Sequence, residues 1–351
     1  MSGEQHHPTV IRLGRVGDMI AITALLNLLH ERFGRPCNVI GAGPWNEAIF
    51  RAHPDVARVW SFSRHRALML NAAAPGALWA LHGNAPAPIY ICEHQPKPLA
   101  RVRQFLALGR IDSRRCAYLI DEPPGGTENW IDRQLQLGMR TPPAAHHLKT
   151  QELSSRVRAP RLVLLDQERE ACTAWIRARG WEGRELILIQ PGNYRSMRHG
   201  AVSTDDKAWP IERWVELLRH LHDVMPQAVL VLRGYGEEMD LLRQIQTAAA
   251  LPAVAVADLA LRETFALCER AHSMISVDTG PAHAAAAFGR PLVVLFGAES
   301  AQTWLPRSAG SPVIGLGGPP YSKQVAAISV ESVFRAWRSF EARDPLASSV
   351  Q

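Results

Sequence analysis

Short apolar runs alternate with stretches of helical periodicity along the whole 351-residue chain. Few architectures accept that alternation, and the main one is a parallel sheet whose strands are joined by helices. Strands are expected at Thr9–Leu13, Asn38–Gly41, Val56–Phe62, Ile89–Cys92 and Ala117–Ile120. A second series is expected at Leu186–Gln190, Ala228–Leu232, Met274–Val277 and Leu292–Phe296. Ile22, Leu25, Leu26, Leu29 and Phe33 recur at helical spacing after the first strand, predicting a helix that begins near Asp18. Trp214, Leu217, Leu218 and Leu221 define another helix, opened by Pro210. Val330, Phe334, Trp337 and Phe340 mark a last one.

The pattern breaks between Thr141 and Pro160, a stretch rich in proline, alanine and polar residues that reads as an interdomain linker. The length agrees with two domains at roughly 100–200 residues each. Hydrophobic residues make up 47% and charged residues 21%, which excludes general disorder. Five scattered cysteines without a CxxC pair argue for a reducing compartment and against a thiolate metal site. The start of the chain lacks a secretion-signal pattern. No run approaches the ~20 apolar residues of a membrane span. The expectation is a soluble cytoplasmic protein.

Lysine and arginine exceed aspartate and glutamate by 39 to 33. The excess is concentrated early, at Arg64-His65-Arg66, Arg101-Val102-Arg103 and Arg114-Arg115. Such clusters suit an acidic substrate or an anionic membrane surface, and equally serve solubility and local ion pairs. No DNA- or RNA-binding module is visible, so nucleic acid is not expected as a partner.

In parallel sheets ligands bind where strands run into helices, and four such loops carry chemistry. The first is Leu13-Gly14-Arg15-Val16-Gly17-Asp18, which falls short of the full GxGxxG dinucleotide pattern. Asp18 can cap a helix or take a proton from a substrate hydroxyl. The second is Asp278-Thr279-Gly280-Pro281-Ala282-His283, where a helix start could hold a diphosphate and where a capped core helix with a buried histidine is the plainer reading. The third runs from Gln190-Pro191-Gly192-Asn193 to Lys207-Ala208-Trp209-Pro210 and offers Lys207 to a phosphate oxygen. Arg195, Arg198 and His199 add charge to it, and Ser203-Thr204-Asp205-Asp206 is no metal motif. The fourth is Leu232-Arg233-Gly234-Tyr235-Gly236-Glu237-Glu238, where either acid could bond a ribose or favour a helix dipole.

Taken in order, these segments resemble glycosyltransferase family 9, the heptosyltransferase family of bacterial lipopolysaccharide assembly. The resemblance rests on Arg12-Leu13-Gly14-Arg15-Val16-Gly17-Asp18, Gln190-Pro191-Gly192, Lys207-Ala208-Trp209-Pro210 with Trp214, and Asp278-Thr279-Gly280-Pro281-Ala282-His283. Leu295-Phe296-Gly297 and Trp304-Leu305-Pro306 complete it. It implies a GT-B fold, two Rossmann-like domains facing across a cleft. Residues 1–155 would bind the acceptor and 156–327 the nucleotide sugar, with a helix at about 328–342 packing back on the first domain. It further implies inverting, metal-independent transfer without a cofactor, from ADP-heptose to an anionic glycolipid acceptor, with possible contact at the inner membrane surface.

By position, Asp18 matches the general base and Lys207 the lysine that neutralises the leaving diphosphate. Gly17, Gln190, Gly192, Asp278, Thr279, Gly280 and His283 fall in donor-binding segments, with Glu237 or Glu238 on the ribose. Arg64, Arg66, Arg101 and Arg103 would meet an acidic acceptor. Gln190 stands where the family usually has histidine, and the Asn193–Lys207 loop is long for the family. Another nucleotide sugar, or a protein or other glycan acceptor, is therefore the alternative. A nicotinamide-dependent oxidoreductase and a nucleotide-binding module without catalysis are the rivals from other classes.

Overall fold

The computed structural model describes residues 6–64, 66–122, 129–192 and 206–340. The chain divides into two compact units, Met1–Val163 and Leu164–Gln351. Each is built on one wholly parallel sheet.

The first sheet holds β1 (Thr9–Arg12), β2 (Cys37–Ala42), β3 (Val56–Phe62), β4 (Ile89–Ile91) and β5 (Cys116–Tyr118) in the order β3-β2-β1-β4-β5. The second holds β6 (Leu186–Gln190), β7 (Val229–Gly234), β8 (Val254–Asp258), β9 (Ser273–Val277), β10 (Leu292–Phe296) and β11 (Val313–Gly317) in the order β11-β10-β9-β6-β7-β8. Every residue of β1, β2, β4, β6, β9 and β10 is buried. Strands covered on both faces carry unbroken apolar runs, which is why the sequence shows them as blocks rather than alternations.

Both sheets have a switch point. In the first, successive strands leave β1 towards β2 and β3 on one side and β4 and β5 on the other. In the second, the change of direction lies between β6 and β9. Loops at the carboxyl ends of strands diverge there and leave a crevice, the usual ligand position in open α/β sheets.

The expected helix near Asp18 begins earlier, at Val16, and is two helices, Val16–Ala21 and Thr23–Phe33. The linker read at 141–160 is not a free tether. Arg156 and Arg158 each place a guanidinium nitrogen 3.0 Å from the Glu31 carboxylate, and Ser154 N–H donates to the same group. Gln151 N–H bonds the Arg32 carbonyl and Arg161 N–H the Thr23 hydroxyl. These partners hold Glu31 well below the usual carboxylate range, at about 2, through Ser154 first and then Arg158. The strap is fastened to the helix Thr23–Phe33, so the first unit extends to Val163 instead of ending at 155.

The last helix also departs from expectation. Val330, Val333, Trp337 and Phe340 join the second unit's core with Trp214, Leu217 and Leu221 of the helix Ile211–Val224. Trp337 Nε1–H donates to Ser273 Oγ in β9 at 2.9 Å. An apolar stripe records that a helix is half-buried but not which surface covers it, and this one packs on its own domain. Positions 341–342 of the expected helix lie outside the described residues.

Candidate active site

At the first switch point, β1 delivers Arg12 and the loop that follows leads directly into Val16–Ala21. Arg15 is the N-cap and Asp18 the third helical residue, whose Oδ2 accepts the Arg15 N–H at 2.8 Å. The sequence reading put the cap at Asp18 itself; its carboxylate caps from inside the first turn instead. Oδ1 lies 2.5 Å from Arg12 Nη2. Arg12 is only 4% exposed. Its Nη1 donates to the Cys92 carbonyl at 2.9 Å and to Glu93 Oε2 at 3.1 Å, and lies 3.4 Å from His94 Nδ1.

Burial alone would push the Arg12 pKa down, but Asp18 and Glu93 outweigh it and the pKa is raised. Burial drives the Glu93 carboxyl up and the His94 imidazole down to about 4. Gly14 is packed against this group: a Cβ there would stand 2.9 Å from Asp18 Cγ and 3.0 Å from Arg12 Nε. Gly17 lies within the helix, one residue before Asp18.

Three of the four expected acceptor arginines come together. Arg101 donates to the carbonyls of Arg64 and Arg66, at 3.3 and 2.5 Å. The Arg64 guanidinium carbon stands 5.3 Å from the Trp45 ring centre. Burial, then repulsion from Arg15, pushes the Arg64 pKa down, with Asp18 opposing and Arg101 adding to the fall. Arg64 thus lies within electrostatic reach of Arg15, Asp18 and Arg101. Arg103 lies instead over the Tyr118 ring at 5.2 Å. Arg114 pairs with Asp112, and Arg115 is buried on the Ala87 and Leu81 carbonyls, so that cluster is structural. His65 lies outside the described residues.

At the second switch point, Lys207 Nζ is 2.6 Å from Asp278 Oδ2 and 3.2 Å from the Asp278 carbonyl oxygen. Asp278 follows β9, and Thr279 is the N-cap of the helix Gly280–Ala287, its hydroxyl 3.1 Å from Ser276 Oγ. His283 sits, half-buried, on the first turn. Lys207 is carried there by its neighbour. The Asp206 carbonyl accepts Val325 N–H at 2.8 Å, and its carboxylate accepts Ala298 N–H at 2.9 Å. Gly297 permits this approach, because a Cβ there would fall 2.8 Å from both the Asp206 carbonyl carbon and Oδ2.

At the end of β6, Gln190 Nε2 donates to the Gly192 carbonyl at 2.8 Å and to Glu238 Oε1 at 3.3 Å. Gln190 Oε1 accepts from Arg233 at 2.8 Å. Glu238 Oε2 accepts Tyr235 N–H at 3.0 Å, and burial raises its pKa against the pull of Arg233. Glu237 is exposed. Residues 193–205, with Asn193, Arg195, Arg198, His199 and the Ser203-Thr204-Asp205 run, lie outside the described residues.

Sequence reasoning missed Glu93 and His94, and it quoted Arg12, Asp206 and Arg233 within their segments without giving them a part in these clusters. Apart from Asp18, which is close to Arg12 in sequence, their partners are tens of residues away, and the strand order brings them near. Among the described residues, no group of three or more metal-ligating side chains is assembled, and no helix is long and apolar enough to cross a membrane.

A parallel α/β sheet with anion-suited groups at its switch point is an arrangement that many nucleotide-binding folds share. Residues 159–333 match the model of glycosyltransferase family 9 (heptosyltransferase), and the chain belongs to that family. A family 9 glycosyltransferase from Veillonella parvula superimposes with a TM-score of 0.72 at 14% identity, covering 98% of this chain and 99% of the other. The ADP-heptose lps heptosyltransferase II of E. coli gives 0.68 at 18% identity over 96% and 99%. E. coli heptosyltransferase WaaC with ADP gives 0.64 at 14% identity over 95% and 99%. No curated protein matches in sequence. The fold is GT-B.

Proposed function

We propose that this glycosyltransferase moves a heptose-type sugar from ADP-heptose to a hydroxyl of an anionic, lipopolysaccharide-core-like acceptor, with inversion and without a metal. The observation that carries the reading is the Lys207–Asp278 pair beside Thr279 at the switch point of the family-matched unit. An ammonium and the open N–H groups of a helix start are what a departing diphosphate needs as negative charge develops on it. WaaC was solved with ADP and the second E. coli relative is named for ADP-heptose, which supports this donor.

Asp18, at the other switch point, is the base for the incoming hydroxyl. Arg64, Arg66 and Arg101 bind acidic groups of the acceptor; Arg103, turned to Tyr118, contributes less. Single displacement at the anomeric carbon inverts configuration. Glu238 takes the ribose in preference to Glu237, because it is held beside Gly192: a Cβ on that glycine would lie 3.7 Å from Glu238 Oε1. Gly280 and His283 line the phosphate end, and Gly17 permits close approach to Asp18. An acceptor carried on a lipid places the enzyme at the inner membrane surface.

Gln190 supports a second donor. It is locked between Arg233 and Glu238, so the donor is read by a hydrogen-bonded set that a different nucleotide sugar could also fit. A thermal-shift panel of ADP-, GDP-, UDP- and dTDP-sugars decides, since ligand binding to the native state raises its stability. Incubation with ADP-heptose and deacylated inner core, with the product's anomeric configuration read by NMR, tests the reaction. Asp18→Asn is expected to cut transfer by ~10²–10⁴-fold, the worth of a general base, and to keep nucleotide binding. Full activity in that variant removes Asp18 from the mechanism.

A further inference from the structure

We propose that Arg12 is the positioning residue of Asp18, an inference that rests on Asp18 acting as the base. The Arg15 N–H holds Oδ2 from the first turn of the helix. Arg12 holds Oδ1 from the end of β1, so the two contacts grip the carboxylate at both oxygens and set its angle about the terminal bond. Arg12 is itself immobile. It is buried, and it reaches the Cys92 carbonyl and the Glu93 carboxylate at the end of β4.

Glu93, 2% exposed, also accepts the Leu13 N–H, so the strand that carries Arg12 and the strand that carries its counter-charge are tied across the switch point. The guanidinium fork suits this task because its separate N–H groups serve two carboxylates and a carbonyl at once. A lysine offers one compact charge and cannot span both acids in the same geometry. Gly14 closes the arrangement from the other side, having no room for a side chain between Asp18 and Arg12. Arg12 touches no reacting atom in this scheme and acts through Asp18.

The test uses the full chain with Arg12→Gln, Arg12→Lys, Asp18→Asn and the Arg12→Gln/Asp18→Asn double variant. Transfer from ADP-heptose to deacylated inner core gives kcat and donor KM. Arg12→Gln is expected to lower kcat by about 100-fold, the scale of a misplaced catalytic group, with donor KM unchanged; Arg12→Lys is expected to recover about a tenth of the activity. Asp18→Asn is expected to retain slow residual transfer, since a general base is worth ~10²–10⁴-fold, and on that residual rate Arg12→Gln is expected to have no further effect, because an intermediary's role ends with its target. A further loss in the double variant, or a donor KM that changes while kcat does not, overturns the proposal.

A crystal structure of Arg12→Gln, with Arg12→Lys as the substitute where the first does not fold, reads the carboxylate directly. Displacement of Asp18 Oδ1 supports the proposal, and an unmoved carboxylate overturns it whatever the kinetics. That readout also separates the two inferences. A wild-type chain inactive with every donor of the panel removes the reaction, while the Asp18 position still decides what Arg12 does.

Discussion

Gly297→Ala tests whether the anchoring of Asp206 sets the position of Lys207. The new Cβ would stand 2.8 Å from the Asp206 carbonyl carbon and from Oδ2, with the carbonyl oxygen closer still. Carbon atoms pack best at ~3.5–4.0 Å, so this backbone must retreat by about 1 Å. The retreat stretches two hydrogen bonds, Val325 N–H to the Asp206 carbonyl and Ala298 N–H to its carboxylate. Overpacking of this kind costs ~1–3 kcal/mol, and the strained bonds are part of that cost.

The melting transition of the second unit should fall by ~2–4 °C for each kcal/mol lost. Lys207 follows Asp206 in the chain, and a displacement of about 1 Å at a catalytic group costs about 100-fold. Steady-state transfer and ADP binding by calorimetry should therefore show kcat/KM reduced by about two orders of magnitude and ADP bound more weakly. Gly310→Ala is the control, since a Cβ at that exposed position meets nothing within 4 Å. Wild-type kinetics in Gly297→Ala would refute the reasoning, because Lys207 would then be placed independently of Asp206.

Three other outcomes are expected. Lys207→Ala should weaken ADP binding and slow turnover together, and unchanged kinetics would leave its contact with Asp278 as structure alone. Glu238→Gln should raise donor KM while Glu237→Gln leaves it alone; the reverse result reassigns the ribose contact. His94 should make the first unit acid-sensitive. Its folded pKa of about 4 lies below the ordinary 6.5, so between those values the unfolded chain binds a proton that the folded chain refuses, and stability falls as pH falls. Denaturation midpoints at pH 7 and pH 5 should differ less in His94→Gln than in the wild type, and equal differences would exclude His94 as the source.

The strands were legible because they are buried on both faces. Leu186–Gln190 and Leu292–Phe296 are apolar blocks, and their observed bounds coincide with the expected ones. The partly exposed edge strand Val56–Phe62 was also read with its observed bounds, but the two edge strands of the second sheet were not. Val254–Asp258 is partly exposed and Val313–Gly317 carries two glycines, so neither stands out from loop sequence. Asp18, Lys207 and Asp278 stood out in the sequence because each lies where a strand gives way to a helix, a local signal. Arg12 and Asp206 were passed over for the opposite reason. Arg12 is read as part of a strand until β4 is known to pair with β1, and Asp206 looks like one acid of a polar run until Ala298 and Val325 are seen on it. The last helix shows the same limit, since its stripe fits any apolar surface.

The helix Gly280–Ala287 is almost all methyl groups, with Ala282, Ala284, Ala285 and Ala286 buried. Its buried face lies against the neighbouring β9 and β10 with methyl groups alone, so nothing long on that face rearranges when the helix is loaded. Thickening it at any of these alanines would lever its front end, and Thr279 with it, away from the sheet. Residues that never face the crevice thereby decide how firmly its rim is held, and sequence variation there would surface as a change in binding.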